Sequence, residues 1–364
     1  MLIDVNAPGF GNSLHREEPW TTYFDGYLNR TFAIVEAFKN YPNTLAFFSA
    51  NEVIDKPGTA TVVPPYLRAM QRDLKAYIAK HSSRHIPVGY SAADVRDVLA
   101  DTYNYLICTD KNDANAELFA LNSYSWCGPD ATFESSTYSD LVEQFKNSPV
   151  PVFFSEFGCN EPQPRYFNEV QAILGPQMTS YFSGGIVYEW TQEDNNYGII
   201  NVNADGSVQL RADFTALRNQ YLKLDLKALE TSAPGPAGKA PTCSADLIVE
   251  GDFNGNFTLP VLPPGGQDLI DNGIPSAPVG KIISISDYSF PYQIKDVNGK
   301  VISGVQVQPL ADDASNVPGG VKDSGLASDS TNNNSDNTDA AGFVRPASLL
   351  ATVVTAALAL FTLA

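Results

Sequence analysis

Residues 45–52 read Leu-Ala-Phe-Phe-Ser-Ala-Asn-Glu, an apolar run of strand length that ends abruptly in an amide and a carboxylate. Residues 150–156, Val-Pro-Val-Phe-Phe-Ser-Glu, repeat that pattern further along the chain. A short run without polar alternation suits a strand buried on both faces, and such strands belong to parallel sheets covered by helices. Working outward from Leu45–Ser49 and Val150–Ser155, four similar runs appear at Leu2–Val5, Ile86–Tyr90, Leu118–Leu121 and Gly185–Tyr188. Amphipathic stretches separate them. Tyr27, Leu28, Thr31, Val35 and Phe38 keep helical spacing, as do Leu67, Met70, Leu74, Tyr77 and Ile78 after Pro64-Pro65. The spacing predicts further helices over Tyr138–Phe145, Tyr166–Leu174 and Arg211–Leu222, with Gly175-Pro176 closing the middle one. Strands alternating with helices give the α/β class. A doubly wound sheet tolerates six strands, but no GxGxxG follows any of them. The expectation is a (β/α)8 TIM barrel over residues 1–229 that lacks its first two strands, because the chain starts abruptly inside one.

The remaining composition narrows the function. Forty-one acidic residues against twenty-three basic ones give a net charge of −18, which disfavours nucleic acid and anionic membrane surfaces as partners. His15, His81 and His85 show no metal-ligand spacing and none lies near a CxxC, so neither a metal nor a cofactor is expected. The four cysteines allow two disulfides in three connectivities.

Chemistry concentrates where the runs end. Glu52 and Glu156 follow buried strands at their C-terminal ends, the face on which such barrels build active sites. Numbered back from a missing pair, these are strands four and seven, across the barrel mouth from one another. A carboxylate set against apolar strand residues must be paired, hydrogen-bonded or raised in pKa. Two of them, one acid and one nucleophile, are what retaining glycoside hydrolysis needs. Tyr124 and Trp126, and Tyr188 and Trp190, follow two further strands. Aromatic faces there stack on sugar rings; Tyr124 and Tyr188 are the better platforms, whereas the two tryptophans serve equally well as core.

The motifs FFSANE, IPVGYSAAD, NSYSWCG, VFFSEFGCN and GGIVYEWTQEDNNYG, in this order from Met1 to Cys243, resemble the fungal β-1,3-glucanosyltransferases of glycoside hydrolase family 72. The resemblance implies cutting an internal β-1,3-glucan bond and joining the new reducing end to another glucan chain, in cell-wall assembly. Glu52 matches the acid/base and Glu156 the nucleophile. Asn51 matches the residue that hydrogen-bonds the sugar 2-hydroxyl, Tyr188 and Tyr124 the donor-cleft aromatics, and Asp94 the acidic residue that meets the acceptor. An arginine usual in the family just beyond Asp94 falls on Leu99, with Arg96 nearby. The same resemblance implies disulfides Cys127–Cys159 and Cys108–Cys243. A retaining endo-β-glucanase and a non-catalytic glucan-binding wall protein are the alternatives.

Beyond the barrel, residues 230–310 begin with a Pro-, Ala- and Gly-rich linker (ETSAPGPAGKAP) and continue as a small appendage that the second disulfide would clamp to the barrel. Residues 311–342 form a polar spacer, and 343–364 carry a terminal apolar tail. A polar spacer before a hydrophobic tail is the pattern of a GPI-attachment signal, which places the protein at the outer face of the plasma membrane and in the wall through a lipid anchor. Such a route needs a leader, and Met1–Asn6 reads as a strand entering a turn instead, hence the expectation of truncation. Sequons at Asn29, Asn256 and Asn333 fit a secreted protein.

Overall fold

The computed structural model of the chain describes residues 1–7 and 11–307. The spacer, the apolar tail, the sequon at Asn333 and the last three residues of the appendage lie outside these. In chain order the elements are β1 (Leu2–Asp4), α1 (Asp25–Phe38), β2 (Ala46–Asn51), α2 (Pro57–Ala60), α3 (Pro64–His81), β3 (Val88–Ala93), α4 (Arg96–Ile107), β4 (Leu118–Ser123), α5 (Tyr138–Phe145) and β5 (Val152–Phe157). There follow α6 (Val170–Ile173), β6 (Gly185–Val187), β7 (Ile200–Val202), β8 (Val208–Leu210), α7 (Ala212–Tyr221), α8 (Leu226–Glu230), α9 (Gly266–Asn272), β9 (Ile294–Lys295) and β10 (Val301–Ile302).

All six expected strands form, and β1 to β6 join in sequence order as one parallel sheet. That consecutive order, with helices between, is the order of a (β/α)8 barrel wall. The wall is strongly curled. Phe48 on β2 stacks on Phe153 of β5 with ring centroids 6.2 Å apart, although β3 and β4 intervene. In a flat sheet those strands would lie roughly 14 Å apart. The inner face carries a small apolar layer of Ala46, Phe48, Leu118, Ala120 and Phe153. The alternate residues, Phe47, Val88, Phe119, Leu121 and Phe154 among them, face outward into the main core beneath the helices.

The helices follow from their stripes. In α3 the buried set Leu67, Met70, Leu74, Tyr77 and Ile78 lies on one side; Pro64 and Pro65 start the helix, and Lys80 and His81 complement its carbonyl end. The helix expected over Tyr166–Leu174 is shorter, Val170–Ile173, because Phe167 takes a left-handed conformation (φ 53°) and interrupts it. In helix α4 burial reaches beyond a single stripe. Val98, Leu99, Thr102, Tyr103, Tyr105, Leu106 and Ile107 are all buried around its circumference.

The segment after the linker supplies the reason. The backbone N–H groups of Val249 and Glu250 donate to the buried carboxylate of Asp101 on α4, at 2.9 and 2.7 Å. The chain then runs across α3, where Arg72 donates to the Pro260 carbonyl (3.0 Å), and α9 packs on α1 and α3. It ends with β9 beside β8, in a second sheet of order β10-β9-β8-β7. The linker itself is tied down, with Gly235 N–H donating to the Ser180 carbonyl and Gly238 N–H to that of Asn147. Cys108–Cys243 and Cys127–Cys159 are both formed, the pairing that the resemblance implied.

Candidate active site

Glu52 and Glu156 both stand at the C-terminal end of the parallel sheet, each just past a β-bulge. Along β2 the register passes from Phe48↔Gly89 to Asn51↔Ser91, so two residues, Ser49 and Ala50, oppose one. Along β5 it passes from Leu121↔Phe154 to Asn122↔Glu156, which leaves Ser155 without an opposite number. Strict alternation would send adjacent residues to opposite faces of the sheet. An extra residue bends the strand and re-aims its side chains. The result is that Ser155 and Glu156 work on the same inner side, while Asn51 and Glu52 do so because Glu52 leaves the strand conformation. Glu52 itself sits at φ 49°, a conformation uncommon outside glycine, and its N–H is held by the Ser91 carbonyl at 2.9 Å.

One amide joins these groups. Asn122 on β4 is buried, and its Nδ2 donates to Asn51 Oδ1 (3.1 Å) and to Glu52 Oε1 (3.0 Å). Its Oδ1 accepts from the hydroxyl of Ser155 at 2.6 Å, and Ser91 Oγ lies 2.7 Å from Ser155 Oγ. Residues of β2, β3, β4 and β5 thus meet in one polar layer above the apolar one. With its Oδ1 taken by Asn122, Asn51 keeps its NH2 group as the donor it can offer a hydroxyl.

Tyr124, just past β4, donates its phenol to Glu156 Oε2. Burial raises the Glu156 pKa above the usual carboxylate range; the Tyr124 hydrogen bond opposes this, and the nearby charge of Glu52 adds to it. Three tyrosines wall the site. Tyr124 meets Tyr188 edge to face at 6.2 Å and Tyr197 at 5.3 Å, and Tyr188 meets Tyr197 at 5.4 Å. Burial pushes the Tyr188 phenol up to about 12, with Glu189 contributing, so it stays a hydroxyl. Trp126 is core, packed on Tyr138 at 5.3 Å, whereas Trp190 is partly exposed.

Asp94 lies just past β3, accepting from Ser123 Oγ (2.8 Å) and paired with Arg96. Leu99 is buried in α4, so the cation beside Asp94 is Arg96. On the other side of Asn51 a groove of about 600 Å³ opens, lined by Asp4, Asn6, His15, Arg16 and Lys56 among others. Asp4 ends β1, and burial raises its pKa to about 7.

Two inward-facing carboxylates, a bridging amide and an aromatic wall suit an uncharged polysaccharide, and comparison with known proteins agrees. The family model described as glucanosyltransferase, glycoside hydrolase family 72, matches residues 1–225. The chain belongs to the glucanosyltransferase family. The 1,3-beta-glucanosyltransferase gel2 of Aspergillus fumigatus is 47% identical over 320 residues, which cover 88% of this chain and 67% of that protein. The 1,3-beta-glucanosyltransferase GAS4 of Saccharomyces cerevisiae is 39% identical over 293 residues, 79% of this chain and 60% of the relative. Among solved structures, Saccharomyces cerevisiae Gas2p in complex with laminaritetraose and laminaripentaose superposes with a TM-score of 0.60 at 31% identity, over 72% of this chain and 56% of that one. The chain therefore spans about three-fifths to two-thirds of the length of these relatives.

Within this site, Asn51, Glu52, Tyr124, Glu156 and Tyr188 converge, and Asp94 stands with Arg96 two strand-ends away from Glu156. Three members escaped the sequence reading. Asn122 looks like an ordinary strand residue in Leu-Asn-Ser-Tyr, Tyr197 follows a polar loop, and Asp4 sits in the first run. Their common signal is a polar or aromatic residue at the C-terminal end of a strand or in the loop that follows one.

Proposed function

We propose that this chain is a β-1,3-glucan transglycosylase that works by a retaining double displacement. The observation that carries the reading is the pair of bulged strands that one amide, Asn122, joins through Glu52 after β2 and through Ser155, the neighbour of Glu156, on β5. In the first step the Glu156 carboxylate attacks the anomeric carbon of the donor glucan while Glu52 protonates the departing glycosidic oxygen. The N–H of Asn122 occupies Oε1 of Glu52, so the other oxygen carries the proton. Tyr124 keeps Glu156 oriented, and Asn51 offers its NH2 to the 2-hydroxyl of the reacting sugar. In the second step Glu52 takes the proton of an acceptor hydroxyl, which displaces Glu156 from the anomeric carbon. Tyr188, with Tyr197 against it, stacks on the donor chain. The Asp94–Arg96 pair meets the acceptor.

Transfer exceeds hydrolysis when an acceptor glucan occupies its subsites before water does. Incubation of the full chain with a reduced laminari-oligosaccharide tests this. Products longer than the substrate are expected; exclusively shorter ones make the protein a retaining endo-β-glucanase. Glu156→Gln should lower turnover by at least a thousandfold with glucan binding retained. Unchanged behaviour of that variant would leave a glucan-binding wall protein.

The proposal extends to the whole chain. Residues 1–229 form the catalytic unit, 230–310 a strap across its helices, 311–342 a spacer and 343–364 the signal for a GPI lipid anchor. The site of action is then the outer face of the plasma membrane and the cell wall, reached through the secretory pathway. Both disulfides suit that route, since such bonds persist in oxidising compartments.

A further inference from the structure

Asn256 begins one of two sequons within the described residues, and the two are presented in opposite ways. Asn29-Arg30-Thr31 lies inside helix α1. Thr31 is fully buried and spends its hydroxyl on the Leu28 carbonyl at 2.9 Å, and Asn29 is half-buried with its Oδ1 shut away from solvent. Asn256-Phe257-Thr258 lies on the strap outside any helix or strand, with Asn256 and Thr258 exposed. Between them Phe257 turns inward and stacks on Tyr105 of α4, ring centroids 4.7 Å apart and 24° between planes. The guanidinium of the fully buried Arg68 lies 5.6 Å from the centroids of both rings. Tyr105 OH also donates to the Asn256 carbonyl at 2.6 Å. With Phe257 anchored on Tyr105, its two neighbours stand at the surface. Asn256 Oδ1 accepts the Thr258 N–H at 2.9 Å, which fixes the amide and leaves its nitrogen to react.

We infer that Asn256 is an N-glycosylation site of this protein and that Asn29 is not. The side-chain nitrogen of Asn256 forms a bond to the anomeric carbon of an oligosaccharide carried on a lipid pyrophosphate. The carbon–oxygen bond to the pyrophosphate breaks, the lipid pyrophosphate leaves with that electron pair, and a base takes the amide proton. Tyr105 lies in the last turn of α4, near the end of the sheet away from Glu52 and Glu156. The glycan therefore covers the seam between strap and barrel and leaves the active-site cleft open. This inference stands apart from the catalytic proposal, because it needs only the sequon, its presentation and passage through a secretory lumen.

The test uses the full chain secreted from a fungal host behind that host's leader. Release of N-glycans by an amidase in 18O water, followed by peptide mapping, should convert Asn256 to labelled aspartate and leave Asn29 unlabelled. Asn256→Gln and Thr258→Ala should each lose the same mass, and each should keep glucan turnover within about twofold of the parent. An unlabelled Asn256 in secreted protein, or label on Asn29, overturns the inference. So does a Thr258→Ala protein that still carries the glycan at Asn256.

Discussion

Glu156 is held between opposing influences, with burial raising its pKa and the phenol of Tyr124 lowering it. A nucleophile must be ionised to attack, so the acidic limb of kcat/KM should lie above the ordinary glutamate range. Removing the phenol raises the pKa further. Tyr124→Phe should therefore move that limb to higher pH and lower kcat ten- to hundredfold, since a hydrogen bond to a charged group contributes about 1.5–3 kcal/mol. A pH profile on laminari-oligosaccharides measures both, and an unmoved limb contradicts the assignment. Both acids were legible from the sequence because an ionisable group directly after an apolar strand is conspicuous. Asn122 was not, since its importance rests on contacts with β2, β3 and β5 that no local pattern encodes.

Among the elements, the two bulges decide the site. Both lie one or two residues before an acid, and a sequence with period two cannot announce where the period breaks. The loop after β6 is positioned by a different device. Arg165, buried before α6, donates to the carbonyls of Gly158 (3.3 Å), Tyr188 (2.7 Å) and Tyr197, and so fixes the backbone of the aromatic wall. Its backbone N–H donates to Asp213 on α7 at 2.8 Å, which ties that wall to the last barrel helix. Lysine keeps the charge but cannot reach three carbonyls with a planar fork. Arg165→Lys should raise KM for oligosaccharide roughly tenfold with a smaller change in kcat, matching the loss of one to two hydrogen bonds. Equal losses in both constants would argue that the residue supports the fold alone. Helix α4 shows the converse limit of pattern reading. Asp101 is charged yet buried there, because the strap covers its side of the helix.

For the molecule as a whole, the strap's disulfide and the buried Asp4 each bear on stability. Cys108–Cys243 closes a separation of 135 residues. Chain entropy alone gives such a bridge about 5 kcal/mol, and measured bridges contribute 2–4 kcal/mol. A Cys108→Ser, Cys243→Ser double variant should melt several degrees lower, with the strap cut by protease before the barrel; unaltered melting would show that packing on α4 suffices. The pH dependence follows from Asp4, whose carboxyl titrates at about 7 in the fold against 3.8 in a free chain, chiefly through burial. Between those values the folded state binds more protons than the unfolded one, so stability falls as pH rises through that window, by about 1.4 kcal/mol per pH unit. Asp4→Asn keeps an oxygen acceptor for the Asn6 N–H and removes the titration. Thermal midpoints should match the parent at pH 4 and exceed it at pH 8; parallel curves would refute the account. By itself the sequence determined the six strands, their α/β class and the two carboxylates, because apolar runs and the residues that end them are local properties. Only the tertiary structure decided which neighbours face inward together, that Asn122 joins Glu52 to the strand that carries Glu156, and that Arg96 stands beside Asp94. Curvature, register and the strap's path arise from contacts between residues far apart in the chain.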